Sequence, residues 1–120
     1  FSHSNRNVLR GIHGDFETWK LIQCVYGKFY LVVVDNRPDS ETYQKWDWFI
    51  CSSENRRQVL VPPGCGNGHF VLSDDCTFHY KLAFDGKYND VENQFVIKWD
   101  DPEFNFQWPH NNPVLFGRDK

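Results

Sequence analysis

The sequence predicts a single all-β domain, built as a sandwich or barrel of short strands. Aromatic residues make up 18% of the 120 residues and methionine is absent. Aromatic and β-branched side chains favour the pleated, half-buried surface of a sheet. Short apolar runs recur between turn-forming residues, and no extended stretch shows the 3.6-residue apolar period of a surface helix. A chain of this length is sufficient for one compact domain.

The apolar runs give the order of the predicted strands. Residues 19–25 and 29–35 flank Gly27, and this spacing predicts a β-hairpin. In the run 77–82, Phe78, Tyr80 and Leu82 alternate with polar residues, so we expect Tyr80 to point into the interior. The other predicted strands are 46–51, 58–61, 70–73, 77–82, 94–99 and 104–108.

Charge and cysteine usage limit the classes of function. The net charge is −3 and the pI is about 5.9, which argues against nucleic acid as a partner. A few local Arg and Lys side chains can still bind a small diphosphate. The sequence has no long apolar segment of the kind that would indicate a membrane partner. Cys24, Cys51, Cys65 and Cys76 form no CxxC pair, so we expect free thiols and a cytoplasmic location.

The start of the chain carries its densest polar cluster. The sequence opens on Phe1 and reaches the segment VLRGIH at residues 8–13 after only a few residues. A domain usually places scaffold before such a cluster. We therefore expect residues 1–120 to form one domain that an N-terminal segment precedes in the whole protein.

Seven motifs in order along the chain resemble the dTDP-4-dehydrorhamnose 3,5-epimerase family, whose members are cupin-type jelly-roll enzymes. The resemblance covers nearly the whole chain, and the collinear order makes it far more specific than any one motif. The motifs are VLRGIH at 8–13, Lys20, VVVDNR at 32–37, PPGCGNGHF at 62–70, Tyr80, DPEFNFQWP at 101–109 and FGRD at 116–119.

The resemblance implies a role for each matching residue in an epimerase. His13 is the expected base, held by Asp119. Lys20 is expected to stabilise an enolate oxygen, and Tyr80 to donate a proton from the opposite side of the sugar ring. Arg10 is expected to bind the diphosphate. These types suit the chemistry, because His titrates near neutral pH and an enolate needs a fixed positive donor.

Four further residues are expected to contact the substrate. Asn67 and His69 belong to the middle motif, while Tyr88 and Trp108 either line the sugar or base pocket or pack in the core. The resemblance implies no metal and no other cofactor. A metal site formed by His13, Glu17 and His69 would lack the close His-x-His pair of metal-binding cupins.

Two departures from the family pattern concern the substrate. Asn67-Gly68-His69 replaces the usual His-Gly-Phe, and Gly14-Asp15 replaces an aromatic residue and Gln. Both departures flank the expected sugar site, so we expect a substrate other than the ordinary rhamnose precursor. The Asn-Gly-His sequence is similar to epimerases of capsule heptose synthesis, which act on GDP-linked 4-keto-heptoses.

The sequence is thus interpreted as an epimerase that inverts C3, C5 or both in a nucleotide-diphosphate 4-keto sugar for cell-surface polysaccharide synthesis. A nucleotide-sugar 3,4-ketoisomerase of the same fold and a metal-dependent cupin enzyme are the alternatives. We also expect a homodimer with swapped N-terminal strands. A structural pair between Asp35 and Arg37 is expected at the end of a strand.

Overall fold

The computed structural model describes residues 1–86 and 93–120, and this part of the chain forms a sandwich of two antiparallel sheets. The prediction of an all-β fold is confirmed, and the architecture is consistent with a cupin jelly roll. One sheet has the order β1-β8-β3-β6 and the other β5-β4-β7-β2-β9. The strands are β1 (Ser2–Asn5), β2 (Leu9–Gly14), β3 (Trp19–Tyr26), β4 (Lys28–Asp35), β5 (Trp46–Ser52), β6 (Gln58–Val61), β7 (Cys65–Val71), β8 (Asp75–Ala83) and β9 (Phe95–Val96).

The main core lies between the two sheets and follows from the two-residue alternation of each strand. Phe29 and Leu31 of β4 point inward and meet Ile22 of β3 and Phe78 of β8. All four side chains are buried. At about 1.5–3 kcal/mol for each large apolar side chain removed from water, this layer is the principal source of stability.

The outer face of the five-stranded sheet is covered by the C-terminal segment. Phe106 packs there against Leu9, Ile12 and Val32. The prediction of a strand at 104–108 is wrong, because this segment has no ladder with a neighbouring strand. Its carbonyl groups instead accept from side chains of the sheet: the Trp46 indole N–H donates to the Phe104 carbonyl over 2.8 Å. The predicted strand 94–99 shortens to β9 for a similar reason, since only its first part pairs with β2.

The connection at Gly27 is not a hairpin. β3 belongs to the four-stranded sheet and β4 to the five-stranded sheet, so the chain crosses between layers here. Gly27 has φ +90°, and a Cβ atom would lie 2.3 Å from the Asp75 carbonyl oxygen. Glycine is therefore required for a turn between sheets, which resembles a hairpin turn in sequence alone.

The glycine-rich middle motif forms the central strand β7, which begins before the predicted strand 70–73. β7 pairs with β4 on one side and β2 on the other. A Cβ atom at Gly68 would lie 2.9 Å from the Ile12 side chain and 3.1 Å from the Arg10 carbonyl oxygen. Glycine thus permits close packing on the face of β7 that does not line the sandwich interior.

Smaller predictions can also be compared with the structure. All four cysteines are buried free thiols. The Arg37 guanidinium donates to both carboxylate oxygens of Asp35, which confirms the expected structural pair. Within residues 1–86 and 93–120, no helix has the length and apolar character needed to cross a membrane.

Candidate active site

A cavity of about 490 Å³ lies between the two sheets and contains most of the predicted site residues. This volume suits a small organic ligand. Both sheets and the C-terminal segment contribute to its wall. The five-stranded sheet provides Arg10, Gly11, His13, Leu31, Asn67 and His69; the four-stranded sheet provides Ser2, Lys20, Ile22, Phe78, Tyr80 and Leu82; Gln94 and the segment 116–119 complete the lining.

His13 is held between two consecutive residues of the C-terminal 3-10 turn, Gly117–Asp119. Its Nε2 lies 2.5 Å from Asp119 Oδ1, and Arg118 Nη2 lies 3.0 Å from its Nδ1. Asp119 is buried, and its second oxygen accepts from the Gly11 backbone N–H. With Nε2–H donated to the carboxylate, Nδ1 carries the lone pair that can act as a base.

The surroundings of His13 favour its neutral form. Burial lowers the pKa of His13, and the positive charges of Arg118 and Lys20 lower it further. The Asp119 carboxylate acts in the opposite direction but does not reverse the shift. A neutral imidazole near and below neutral pH is the form that can accept a proton.

Lys20 reaches the cavity from β3 and donates from Nζ to Asn67 Oδ1 over 3.1 Å. This bond joins the two sheets across the cavity. Burial lowers the pKa of Lys20, with Asp15 opposing and Arg118 reinforcing the shift. Asp15 itself is buried and accepts from the backbone N–H groups of Glu17 and Thr18, so it also fixes the turn before β3.

Tyr80 lines the cavity from β8, together with Phe78 and Leu82, as the alternation of that strand predicts. Its side chain is 42% exposed and packs on the Phe78 ring at a centroid distance of 5.7 Å. His13 and Tyr80 therefore enter one cavity from opposite sheets. Two proton-transfer groups on opposite walls can act on the two faces of a flat, ring-shaped ligand.

Arg10 is the cation of β2 at this cavity. Its Nε donates to Ser4 Oγ over 3.0 Å, and its guanidinium lies 5.4 Å from the centre of the Phe116 ring. Both contacts orient the guanidinium without neutralising its charge. Arg10 can therefore bind a phosphate group, for which its fork of N–H donors is suited.

His69 is the most buried polar group of the cavity wall. It lies between the rings of Phe29 and Phe78, and its Nε2 has no hydrogen-bond partner among residues 1–86 and 93–120. Burial lowers the pKa of His69 to about 3, and the charges of Arg10 and His13 contribute. The imidazole is therefore neutral at all ordinary pH values.

Trp108, a predicted substrate contact, does not line this cavity. Trp108 packs on the outer face of the five-stranded sheet, where it meets Tyr30 and donates from its indole N–H to the Trp99 carbonyl. The five-stranded sheet lies between Trp108 and the cavity, so its substrate contact stays a prediction that this cavity does not support. Tyr88 lies outside the described residues.

Sequence reasoning missed Arg118. The motif at 116–119 gave a role only to Asp119, although the charged side chain of Arg118 in the same short turn contacts the same imidazole. Within the described ranges, no group of three or more His, Cys, Asp or Glu side chains is arranged to hold a metal ion.

Comparison with known proteins agrees with this architecture. The family model described as dTDP-4-dehydrorhamnose 3,5-epimerase matches residues 1–120, the entire sequence. The chain belongs to this family. The dTDP-4-dehydrorhamnose 3,5-epimerase of Shigella flexneri is 38% identical over 121 residues. The match covers 98% of this chain and 65% of the length of that relative. This chain therefore spans about two thirds of the length of that relative.

Solved structures of the epimerase family share the fold. The Bacillus anthracis enzyme, solved with TDP and PPi bound, has a TM-score of 0.92 at 34% identity, covering 98% of this chain and 68% of its own. A Legionella pneumophila dTDP-6-deoxy-D-glucose-3,5-epimerase, solved in complex with dTDP-4-keto-L-rhamnose, has a TM-score of 0.90 at 36% identity. It covers 98% of this chain and 63% of its own.

Proposed function

We propose that the protein is an epimerase that inverts C3, C5 or both in a nucleotide-linked 4-keto sugar. The observation that carries this proposal is the arrangement of His13, backed by Asp119, on one wall of a cavity and Tyr80 on the opposite sheet. Family membership over the whole sequence supports the same reaction class.

In the proposed mechanism, His13 Nδ1 removes the proton from a carbon beside the ketone, and the C–H electron pair forms an enolate. The Lys20 ammonium, held by Asn67, stabilises the negative oxygen. Tyr80 then donates its hydroxyl proton to the other face of the same carbon, which inverts the configuration. Solvent restores the proton to Tyr80 and removes the one on His13.

The nucleotide diphosphate is proposed to bind the cationic part of the cavity around Arg10. Arg118 contributes a second guanidinium nearby, and it must leave His13 Nδ1 before that atom can accept a proton. A diphosphate is a stronger acceptor for a guanidinium than a neutral imidazole. We therefore assign both arginines to the anionic end of the substrate.

Two observations favour different identities for the sugar and the nucleotide base of the substrate. Relatives solved with dTDP-linked ligands favour a dTDP-4-keto-6-deoxyhexose. The Asn67-Gly68-His69 sequence, whose first and last residues line the cavity, resembles epimerases of capsule heptose synthesis, so a GDP-4-keto-heptose is the second candidate substrate. We assign the protein to cytoplasmic polysaccharide precursor synthesis in either case.

The test is incubation of the full-length protein with each of these two nucleotide sugars, followed by NMR assignment of the product. The proposal predicts inversion at C3, C5 or both, with the ketone still at C4. A product with the ketone at C3 would make the protein a 3,4-ketoisomerase instead. If neither sugar changes, the assignment to this reaction is wrong.

A homodimer is also proposed for the full-length protein. Trp19 and Leu60 are exposed on the outer face of the four-stranded sheet, and a partner subunit would cover such apolar side chains. Light scattering should give twice the monomer mass at micromolar concentration. A stable monomer under those conditions would contradict the proposal.

A further inference from the structure

His69 occupies an inward-facing position of β7, on the part of the cavity wall that backs onto the main core. Its backbone lies between Arg10 of β2 and Leu31 of β4. The side chain is only 6% exposed. The Phe78 ring meets it edge to face at a centroid distance of 4.4 Å, and the Phe29 ring lies at 5.4 Å.

A polar ring is an unfavourable choice for this position in the absence of a ligand. The rings that contact His69 are those of Phe29 and Phe78, so a phenyl ring would pack between them without leaving a polar atom unsatisfied. His69 Nε2 instead has no partner among the residues that the structure describes. An unsatisfied buried donor or acceptor is destabilising. The ring of His69 also lines the cavity, so a group bound there lies against the imidazole.

The electrostatics of the wall indicate what kind of group this is. Arg10 and His13 lie close enough to disfavour a positive charge on His69, and burial acts in the same direction. A neutral imidazole offers one N–H donor and one nitrogen acceptor. Either nitrogen can bond a hydroxyl group, because a hydroxyl both donates and accepts, whereas phosphate oxygens are better matched by the guanidinium groups of Arg10 and Arg118.

We infer that His69 is a specificity residue that hydrogen-bonds a hydroxyl group of the substrate sugar at the apolar wall of the cavity. The inference rests on the proposed function, and it defines the substrate class further: the sugar carries a free hydroxyl on the side that faces Leu31 and Phe78. A site that satisfies a buried polar group through a substrate hydroxyl discriminates strongly against the deoxy analogue.

Two variants separate recognition from packing. His69→Phe keeps an aromatic ring between Phe29 and Phe78 but removes both nitrogens. His69→Gln keeps a neutral donor and acceptor on a different frame. Without ligand, we expect His69→Phe to have an equal or higher Tm than the wild type, because it removes the unsatisfied nitrogen. A lower Tm in His69→Phe would indicate that the imidazole nitrogens are needed for the fold itself, which would overturn the inference.

Binding is measured by calorimetry on the full-length protein with dTDP-glucose, GDP-glucose and the monodeoxy forms of each. These sugars lack the ketone, so binding is observed without turnover. The wild type should bind the parent sugar of one series at least about tenfold more tightly than one of its deoxy forms. His69→Phe should reduce that ratio to about twofold or less, and His69→Gln should retain part of it.

Failure of this inference can be distinguished from failure of the proposed function. If His69→Phe retains the wild-type preference, or the wild type binds none of these sugars, the inference is wrong. Deuterium exchange at C3 and C5 of the 4-keto sugars is measured on the same preparations and tests the epimerase assignment. If deuterium exchange occurs but the preference for the parent sugar does not depend on His69, only the inference is wrong. If the preference depends on His69 but no exchange occurs, only the epimerase assignment is wrong.

Discussion

The Asp119 carboxylate lies 2.5 Å from His13 Nε2, although 106 positions of the sequence separate the two residues. The 3-10 turn at 117–119 carries Asp119 back to β2, where the Gly11 backbone N–H also binds it. This contact fixes the tautomer and the orientation of the imidazole. It leaves Nδ1 facing Arg118, whose Nη2 lies 3.0 Å away.

The pH dependence of activity should follow the pKa of His13. Because burial, Arg118 and Lys20 lower that pKa below 6.5, the base stays unprotonated into mildly acidic solution. We expect kcat/KM to be constant near neutral pH and to fall only as the pH drops through a value below 6.5. A fall that begins well above pH 7 would contradict this assignment of the base.

Variants at the two neighbours of His13 should move its pKa in opposite directions. Arg118→Gln removes a positive charge and should raise the pKa of His13, while Asp119→Asn removes the opposing negative charge and should lower it. NMR titration of the His13 ring protons measures both shifts. Lys45→Gln, beside the edge strand β5 and outside the cavity lining, is the charge-matched control and should leave the titration unchanged. Equal shifts in one direction would refute the described electrostatics.

Asp119→Asn should also reduce kcat by about 10²–10⁴-fold, since an amide no longer favours the correct tautomer or stabilises the imidazolium. The thermal unfolding of the variant should be close to that of the wild type if the effect is catalytic. A kcat within a factor of two of wild type would show that Asp119 does not support the base.

Lys20 and Asn67 should differ in the size of their effects. Lys20→Met removes the cation that faces the developing enolate and should lower kcat by about 10²-fold or more. Asn67→Ala leaves the cation but frees it, so a smaller loss of about tenfold is expected. Steady-state kinetics with the 4-keto sugar measures both. A larger loss for Asn67→Ala than for Lys20→Met would reverse the proposed roles.

The stability of the fold should depend on Asp35 at acid pH. Hydrogen bonds from Arg37, Ser40 and Thr42 hold the pKa of the Asp35 carboxyl well below its usual range, against the opposing effect of burial. Because the folded-state pKa is depressed, this stabilisation is complete above the unfolded value near 4 and is lost as the pH falls below it. Asp35→Asn should cost about 2 kcal/mol at pH 7, and urea unfolding should show a smaller difference at pH 3. A constant difference would contradict this account.

The sequence was most informative where one local rule determines the structure. Alternation in 77–82 correctly predicted that Phe78, Tyr80 and Leu82 share one face, because strand geometry requires it. Asp35 and Arg37 are two residues apart, and their pairing depends only on the local turn. The order of the motifs along the chain was sufficient to indicate the family.

Other features depend on contacts that local patterns do not contain. The turn at Gly27 has the same local composition whether it joins paired strands or crosses between sheets. The strand at Gly66 and Gly68 was not predicted, because the close approach of Ile12 to these glycines is a long-range contact. Trp108 could not be assigned to core or cavity without knowing which face of the five-stranded sheet the C-terminal segment covers.

The central claim is that His13 and Tyr80 act on opposite faces of the substrate. Tyr80→Phe retains the ring and its packing on Phe78 but removes the proton that completes inversion. His13→Asn removes the base and should reduce kcat by roughly 10³-fold. The two variants therefore interrupt different halves of the reaction.

The most direct measurement is NMR of the 4-keto nucleotide sugar in heavy water with the wild type and both variants. His13→Asn should show neither deuterium exchange nor inversion. Tyr80→Phe should retain exchange at the starting configuration, while its inversion rate falls at least about tenfold more than its exchange rate, a difference of about 1.4 kcal/mol in barrier height. Exchange at the wild-type rate in His13→Asn, or equal losses of exchange and inversion in Tyr80→Phe, would contradict the two-face mechanism.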